Sequence, residues 1–237
     1  MLTKKYQIKE TIVTVTAGER YHPICLGSIR RSRADLERHI REDPFFKVTF
    51  EPYECAPDAP EVVRRMVKAS TKAGVGPMAA VAGTIAWLAL EDMAGAGCRH
   101  GIVDNGGDIA LINDRPLVVG IYAGESSIRG LGLEIVPRER ILGVCTSSGT
   151  VGPSISLGNA DVALIISDDV SLADAAATAL GNRIIDKESL ADAFDFLKGI
   201  PEVMGAIGII GDRMATYGRL PEMVRADVEY EKITRGD

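Results

Sequence analysis

The segment Gly101-Ile102-Val103-Asp104-Asn105-Gly106-Gly107-Asp108-Ile109-Ala110 constrains the fold of this 237-residue chain more than any other. Asn105-Gly106-Gly107 sits between two apolar runs, and Asn-Gly suits the tight turns whose twist matches that of paired strands. Residues 101–104 and 109–112 are therefore expected to fold back on each other as antiparallel strands. Alternating β-branched residues predict another strand over 11–16. Further strands are expected over 117–122, 131–136, 141–145 and 162–166, with a last one over 205–211.

Helices are expected in blocks. One covers 32–41 and ends at Asp43-Pro44, because the residue before proline avoids the helical region. The next starts at Ala59-Pro60-Glu61, with proline in its first turn, and stops near Gly74. Its Val62, Val63, Met66 and Val67 recur at helical spacing. A very apolar helix over 78–93 carries the small residues Ala79, Ala80, Ala82, Gly83 and Ala86 and stops at Gly95-Ala96-Gly97. It is either core or the face of a homodimer. Ser171 opens an alanine-rich helix, residues 187–198 form an amphipathic one, and the stretch from Thr146 to Pro153 is expected to be irregular. Strands that follow one another directly, with helices grouped, favour an α+β layered fold over a doubly wound parallel sheet. No linker or internal repeat divides the chain, so residues 1–237 are expected to form a single domain.

With 46% hydrophobic residues the chain can bury a real core, and its net charge of −6 argues against nucleic acid or an anionic membrane as partner. Arg30-Arg31-Ser32-Arg33 is a local basic run, read as a solvated helix start. No apolar run approaches the roughly 20 residues needed to cross a bilayer. Residues 1–10 lack a signal-peptide core, and a cytoplasmic location is expected. Cys25, Cys55, Cys98 and Cys145 are scattered, which argues against a disulfide framework or structural zinc. The three histidines show no metal-ligand spacing. His100, beside the hairpin, is the one expected to face the turn.

Two segments carry candidate chemistry. On the helix Ser171-Leu172-Ala173-Asp174-Ala175-Ala176-Ala177-Thr178-Ala179-Leu180, residues four apart share a face, so Asp174 and Thr178 present a carboxylate and a hydroxyl side by side. Oxygen ligands of this kind suit Mg²⁺, and the surrounding alanines leave room for a ligand. The alternative is that Asp174 stabilises its own helix N-terminus through the macrodipole. In the hairpin, Gly106 and Gly107 expose backbone N–H groups able to contact a phosphate or a flavin edge, or they form an ordinary turn. Asp104 and Asp108 flank them as polarising or capping groups. Cys145, at a strand end, is either a nucleophilic sulfur carrier or a small buried hydrophobe.

These segments, in this order and separation, resemble the ApbE-like flavin transferase superfamily. Gly106-Gly107-Asp108-Ile109 matches its Gly-Gly-Asp-Ile turn, Ala173-Asp174-Ala175-Ala176-Ala177-Thr178-Ala179-Leu180 its Ala-Asp-Ala-x-Ala-Thr-Ala-Leu helix, and Thr146-Ser147-Ser148-Gly149 its Thr-Ser-Gly turn. The resemblance covers about residues 76–182. It implies an α+β fold that binds FAD with Mg²⁺, splits the FAD pyrophosphate and links FMN to a threonine of a protein acceptor. By the same resemblance Asp174, Thr178 and the backbone carbonyl of Ala79 are metal ligands. Gly106, Gly107, Asp108, Thr146, Ser147 and Ser148 line the cofactor site, and no catalytic residue is assigned. The chain departs from the family in two places. Ala82-Gly83 stands where the family has Lys-Gly, and residues 152–161 lack its His-x-x-Asp-Pro-x-Thr-Gly run. The readings that follow are a metal-dependent flavin-nucleotide transferase or pyrophosphatase, a non-catalytic flavin or nucleotide binder, and a sulfur-handling protein using Cys145.

Overall fold

The computed structural model of the chain describes residues 1–124, 126–148 and 158–226. Strands β1 (Leu2–Ile8) and β2 (Thr11–Ala17) form a hairpin, and a 3-10 turn over Glu19–Tyr21 leads into a block of helices. These are α1 (His22–Glu42), α2 (Phe45–Val48), α3 (Glu61–Ala73) and, after a second 3-10 turn over Pro77–Ala80, α4 (Val81–Gly95). Strands β3 (Gly101–Asn105), β4 (Asp108–Asn113), β5 (Leu117–Ile121), β6 (Leu131–Ile135), β7 (Arg138–Ser147) and β8 (Val162–Ser167) follow. Helix α5 (Val170–Arg183), a 3-10 segment over Asp192–Gly199, and strands β9 (Val203–Ile210), β10 (Arg213–Gly218) and β11 (Glu222–Arg225) complete the order.

The strands form an eight-stranded sheet in the order β1-β2-β3-β4-β7-β8-β9-β10 and a three-stranded sheet in the order β11-β6-β5. Neighbouring strands pair antiparallel throughout. Successive side chains of a strand point to opposite faces, and β8 shows what this does. Its Val162, Leu164 and Ile166 pack with Leu133 and Ile135 of the small sheet. Its Ala163 and Ile165 pack with the helices. The large sheet is thus the middle of three layers, the layered α+β arrangement expected from the sequence. Its helix-facing side is lined by small residues. A Cβ at Gly143 would lie 2.8 Å from the Val170 Cα, and one at Gly208 2.9 Å from a Leu190 methyl. Small residues there let α5 lie directly on β7 and β8. Burying each large aliphatic side chain of these interfaces contributes on the order of 1.5–3 kcal/mol.

Several elements differ from the expectations. Helix α1 begins ten residues before Ser32, at His22. Pro23 occupies the first turn, where proline is tolerated, and Gly27 lies in the interior without breaking the helix. Arg30-Arg31-Ser32-Arg33 is therefore mid-helix rather than a helix start. Arg31 pairs with Asp92 of α4 at 2.5 Å, and Arg33 pairs with Glu37 at 3.1 Å and with Glu10. The expected 78–93 helix is split at Ala80 (φ −116°, ψ 9°) into the 3-10 turn and α4. Its buried face belongs to the core that it shares with α1, α5 and the large sheet. Strand β7 runs through Thr146 and Ser147, which were expected to be irregular, because both pair with β8. Residues 149–157, including the rest of that stretch, lie outside the described residues. The segment after Lys187 is a 3-10 helix over Asp192–Gly199. β9 is followed by two more strands, and β1 adds an edge strand at the N-terminus.

No single helix among the described residues is long and apolar enough to cross a membrane. The segments Glu61–Ala73 and Pro77–Gly95 reach that length and apolarity only together, and they meet at 106°. Arg65 holds this corner. Its guanidinium hydrogen-bonds Glu61 at 2.8 Å, forms an ion pair with Glu91 at 2.9 Å and stacks 4.4 Å from the Trp87 ring centre.

Candidate functional site

The site starts from an incomplete helix end. The first turn of an α-helix has N–H groups without intrahelical partners, and a Ser, Thr, Asp or Asn at the N-cap normally accepts one. Helix α4 has Ala80 at its N-cap, with no side-chain acceptor. Asp174 of α5 takes that role from another helix. Its Oδ2 accepts the Gly83 N–H at 2.7 Å. Gly83 is required there, because a Cβ would lie 2.7 Å from the Asp174 Cβ and 2.8 Å from the Val170 carbonyl oxygen. Next to this contact the Thr84 hydroxyl bonds Ser171 Oγ at 2.7 Å and the Ala80 carbonyl at 2.5 Å. Asp174 does not cap its own helix. Asp169 does, its Oδ1 accepting the Leu172 N–H at 2.9 Å.

Asp174 is 7% exposed. Burial pushes its carboxyl up to about 7, against the opposing pull of the Gly83 and Ala82 N–H groups. Asp108 is close enough to feel its charge. Strand register sets Asp108 opposite Cys145, and the Asp108 carboxyl is raised well above the usual carboxylate range. Burial is the largest cause, followed by the negative charges of Asp174 and Asp104, while hydrogen bonds from the Cys145 thiol and the Thr146 N–H act the other way. As a residue Asp108 is only half-buried; its carboxyl is the enclosed part. Cys145 is fully buried, with Val170 O 3.7 Å from its sulfur. Burial and the two carboxyls push its thiol well up. Reactive cysteines need the opposite surroundings, cationic and accessible, so Cys145 here is a buried thiol that donates to the Val170 carbonyl and faces Asp108.

The hairpin turn forms as expected. Gly106 (φ 73°) and Gly107 (φ 102°) are both left-handed, a conformation with little penalty only for glycine. The Gly107 N–H donates to Asp104 Oδ1 at 2.8 Å, so Asp104 holds the turn from within. Asn105 reaches the other way, its Nδ2 donating to the Ala82 carbonyl at 3.0 Å.

The structure thus brings Asp108, Asp174 and the turn together, and the other expected site residues surround them unevenly. Thr178 is half-buried one helical turn beyond Asp174, and Ala79 is half-buried in the 3-10 turn packed between α3 and α5. Ser147 shares the helix-facing side of β7 with Cys145; a Cβ at Gly181 of α5 would lie 3.4 Å from its hydroxyl. By strand alternation Thr146 points to the other face, and it reaches the site through its backbone N–H. Ser148 Oγ lies 3.5 Å from the Ala160 carbonyl. His100 is a correction. It precedes β3 at the end opposite the turn and bonds Asp114 at 3.0 Å. His22 bonds Tyr6 at 2.9 Å and takes no part in a dyad with Cys145. Asn105 was expected only as part of the turn and Gly83 only as one of the small residues of the 78–93 helix; their contacts with Ala82 and Asp174, and the Thr84–Ser171 pair, were not expected from the sequence. Gly83 had a usable signal, since a glycine inside a helix pattern often marks close backbone approach.

Among the described residues no three His, Cys, Asp or Glu side chains group as a metal site. The donors that the sequence assigns here are oxygens: the Asp174 carboxylate, the Thr178 hydroxyl one turn further along α5, and the carbonyls of the 3-10 turn that packs against α5. That set fits Mg²⁺, which takes one or two carboxylates and keeps several waters. A cation beside Asp174 would also relieve the cost of its buried charge. The charges acting on Asp108 are negative, so an anionic ligand beside it would enter together with a cation.

Comparison with known proteins shows the family and the fold. The profile of the family described as AbpE bacteria matches residues 4–194. A UPF0280 protein of Methanocella arvoryzae is 72% identical over 235 residues, covering 99% of this chain and 96% of that protein. A UPF0280 protein of Methanococcoides burtonii is 54% identical over 237 residues, covering 99% and 100%. Among solved structures, the apo flavinyl transferase ApbE of Pseudomonas stutzeri superposes with a TM-score of 0.57 at 13% identity, covering 100% of this chain and 97% of its own. The flavin transferase ApbE of Vibrio cholerae gives 0.54 at 10% identity, covering 91% and 96%. These last two show the shared fold. With a profile match over most of its length and close relatives end to end, the chain belongs to the AbpE bacteria family, in a branch with the UPF0280 proteins.

Proposed function

We propose that the chain binds a flavin nucleotide, FAD, together with Mg²⁺ in the space between the Gly106-Gly107 turn and the Asp174 face of α5, and that it acts as a metal-dependent flavin-nucleotide transferase or pyrophosphatase. One observation carries this reading: an enclosed carboxylate, Asp174, oriented by the Gly83 N–H at 2.7 Å beside a second enclosed carboxyl and a glycine turn. Asp174, Thr178 and the Ala79 carbonyl are the proposed cation ligands. Gly106, Gly107 and Asp108, with the Thr146 N–H, Ser147 and Ser148, are the proposed nucleotide contacts. When bound, Mg²⁺ would neutralise charge on the pyrophosphate. The protein's own part is to hold Asp174 in one orientation, to keep bulky side chains out of the site, and to limit water around the carboxyls. A protein acceptor for FMN belongs to the same proposal.

A second reading is favoured by one residue. Ala82 stands where the resembling family carries lysine, which removes a cation that would stabilise charge developing on a cleaved pyrophosphate. That favours a binder that kept the site without the transfer chemistry. Incubation with FAD and Mg²⁺ tests both. Release of AMP supports the transferase or pyrophosphatase, binding without turnover supports the binder, and a chain that cannot be loaded with FAD refutes both.

A further inference from the structure

The Ala82 carbonyl and the Gly83 N–H belong to one peptide group. Asn105 Nδ2 donates to that carbonyl at 3.0 Å, and Asp174 Oδ2 accepts from that N–H at 2.7 Å. Asn105, the Ala82–Gly83 peptide and Asp174 therefore form a continuous hydrogen-bond chain from the hairpin turn to α5. We propose that Asn105 is a positioning residue for Asp174, acting through this peptide to orient the carboxylate for cation binding. The inference rests on the metal reading of Asp174 given above.

The physical basis is cooperative. A hydrogen bond accepted by a peptide carbonyl polarises the amide and makes its N–H a better donor, and the effect is larger away from bulk water. Asn105 is 8% exposed and Asp174 7% exposed, so both ends of the chain are largely shielded from solvent. The geometry is also over-determined. Gly83 lies so close to α5 that a Cβ there would sit 2.7 Å from the Asp174 Cβ, and the neighbouring Thr84–Ser171 hydroxyl pair pins the same helical turn from the α5 side at 2.7 Å. Asn105 supplies the opposing hold, from the strand side. Because Asn105 precedes Gly106 directly, the residue that orients the cation ligand is also part of the turn proposed to meet the nucleotide. Outer partners of this kind that orient a metal ligand commonly change affinity strongly when removed.

The test is Mn²⁺ binding, followed by electron paramagnetic resonance or calorimetry on the full chain, for the unmodified protein and for Asn105→Ala, Asn105→Asp and Asn105→Gln. Circular dichroism and thermal melts establish that each variant is folded. Asn105→Ala and the near-isosteric Asn105→Asp, neither of which donates to the carbonyl when Asp is ionised, are expected to weaken Mn²⁺ about tenfold or more. Asn105→Gln, which restores a donor, is expected to recover part of that loss. A purely structural role would lower the melting temperature and leave the affinity of the folded protein unchanged; that result overturns the proposal. So does a loss in Asn105→Gln as large as in Asn105→Ala. If the unmodified chain binds no Mn²⁺, the metal reading of Asp174 fails first and takes this inference with it, whereas unchanged affinity in folded variants sinks the inference alone.

Discussion

Asp174 Oδ2 accepts the N–H of Gly83 at 2.7 Å across 91 residues of sequence, and only a residue without a Cβ could let the two helices approach this closely. The contact joins the first turn of α4 to α5 and gives an alanine-capped helix the acceptor that its own N-cap lacks. Stability and the candidate site meet at this pair.

Gly83→Ala places a methyl 2.7 Å from the Asp174 Cβ and 2.8 Å from the Val170 carbonyl. Neither atom is the end of a flexible chain. The intrinsic helix preference for alanine, worth about 1 kcal/mol, opposes the overpacking cost, typically about 1–3 kcal/mol and occasionally more. Overpacking is expected to win because backbone must shift. Urea denaturation should show a lower midpoint than that of the unmodified chain; an equal or higher midpoint would contradict the packing described here.

Asp174→Ala removes the acceptor and leaves the Gly83 N–H buried. The expected stability loss is about 1–3 kcal/mol, read by chemical denaturation. Calorimetric titration of the folded variant with Mg²⁺ should show no binding at this site. Retention of metal affinity by Asp174→Ala would remove the cation from Asp174 altogether.

Stability should depend on pH with a definite sign. The Asp174 carboxyl moves from 3.8 to about 7 on folding, so between these values the folded state holds a proton that the unfolded chain has released. Stability contributed by this group is complete below about 3.8 and is lost as pH rises through about 7. Asp108, which faces Asp174, Asp104 and the Cys145 thiol, shifts in the same direction and adds to the trend. Melts from pH 5 to 8 without metal should fall less steeply for Asp174→Asn than for the unmodified chain. Added Mg²⁺ should stabilise the unmodified chain more at pH 8 than at pH 5, because the cation competes with the proton. A flat difference between the two proteins would mean that Asp174 titrates normally.

Thiol labelling separates the cysteines. Cys25, Cys98 and Cys145 are buried and Cys55 is half-buried, and burial raises the Cys25 thiol to about 12. Under native conditions a disulfide reagent should modify Cys55 ahead of the other three, which react only on unfolding. Fast native labelling of Cys145 would revive the sulfur-handling reading.

Much of the architecture was legible from periodicity and turn chemistry. The 101–112 hairpin, the α3 stripe with its stop at Gly74, and the apolar strand around Val162–Ser167 are local patterns, and local patterns are what sequence reading resolves. The misses share a cause. The N-terminal part of α1 contains Gly27 and Pro23, the first turn of α4 after the break at Ala80 is held from outside by Asp174 and Ser171 of α5, and β7 extends through Ser147 because β8 offers it partners. Tertiary contacts override propensity at each of these positions.

The candidate site divides in the same way. The order of residues by itself determined that Asp174 and Thr178 share one helical face and that Gly106 and Gly107 form a left-handed turn, because helical repeat and glycine backbone freedom are properties of short segments. Only tertiary structure decided that Asp108 stands opposite Cys145 and near Asp174, that His100 lies at the far end of its strand, and that Asn105 and Asp174 grip one peptide from its two sides. Strand register, helix docking and the absence of a Cβ at Gly83 set those distances, and no span of neighbouring residues encodes them.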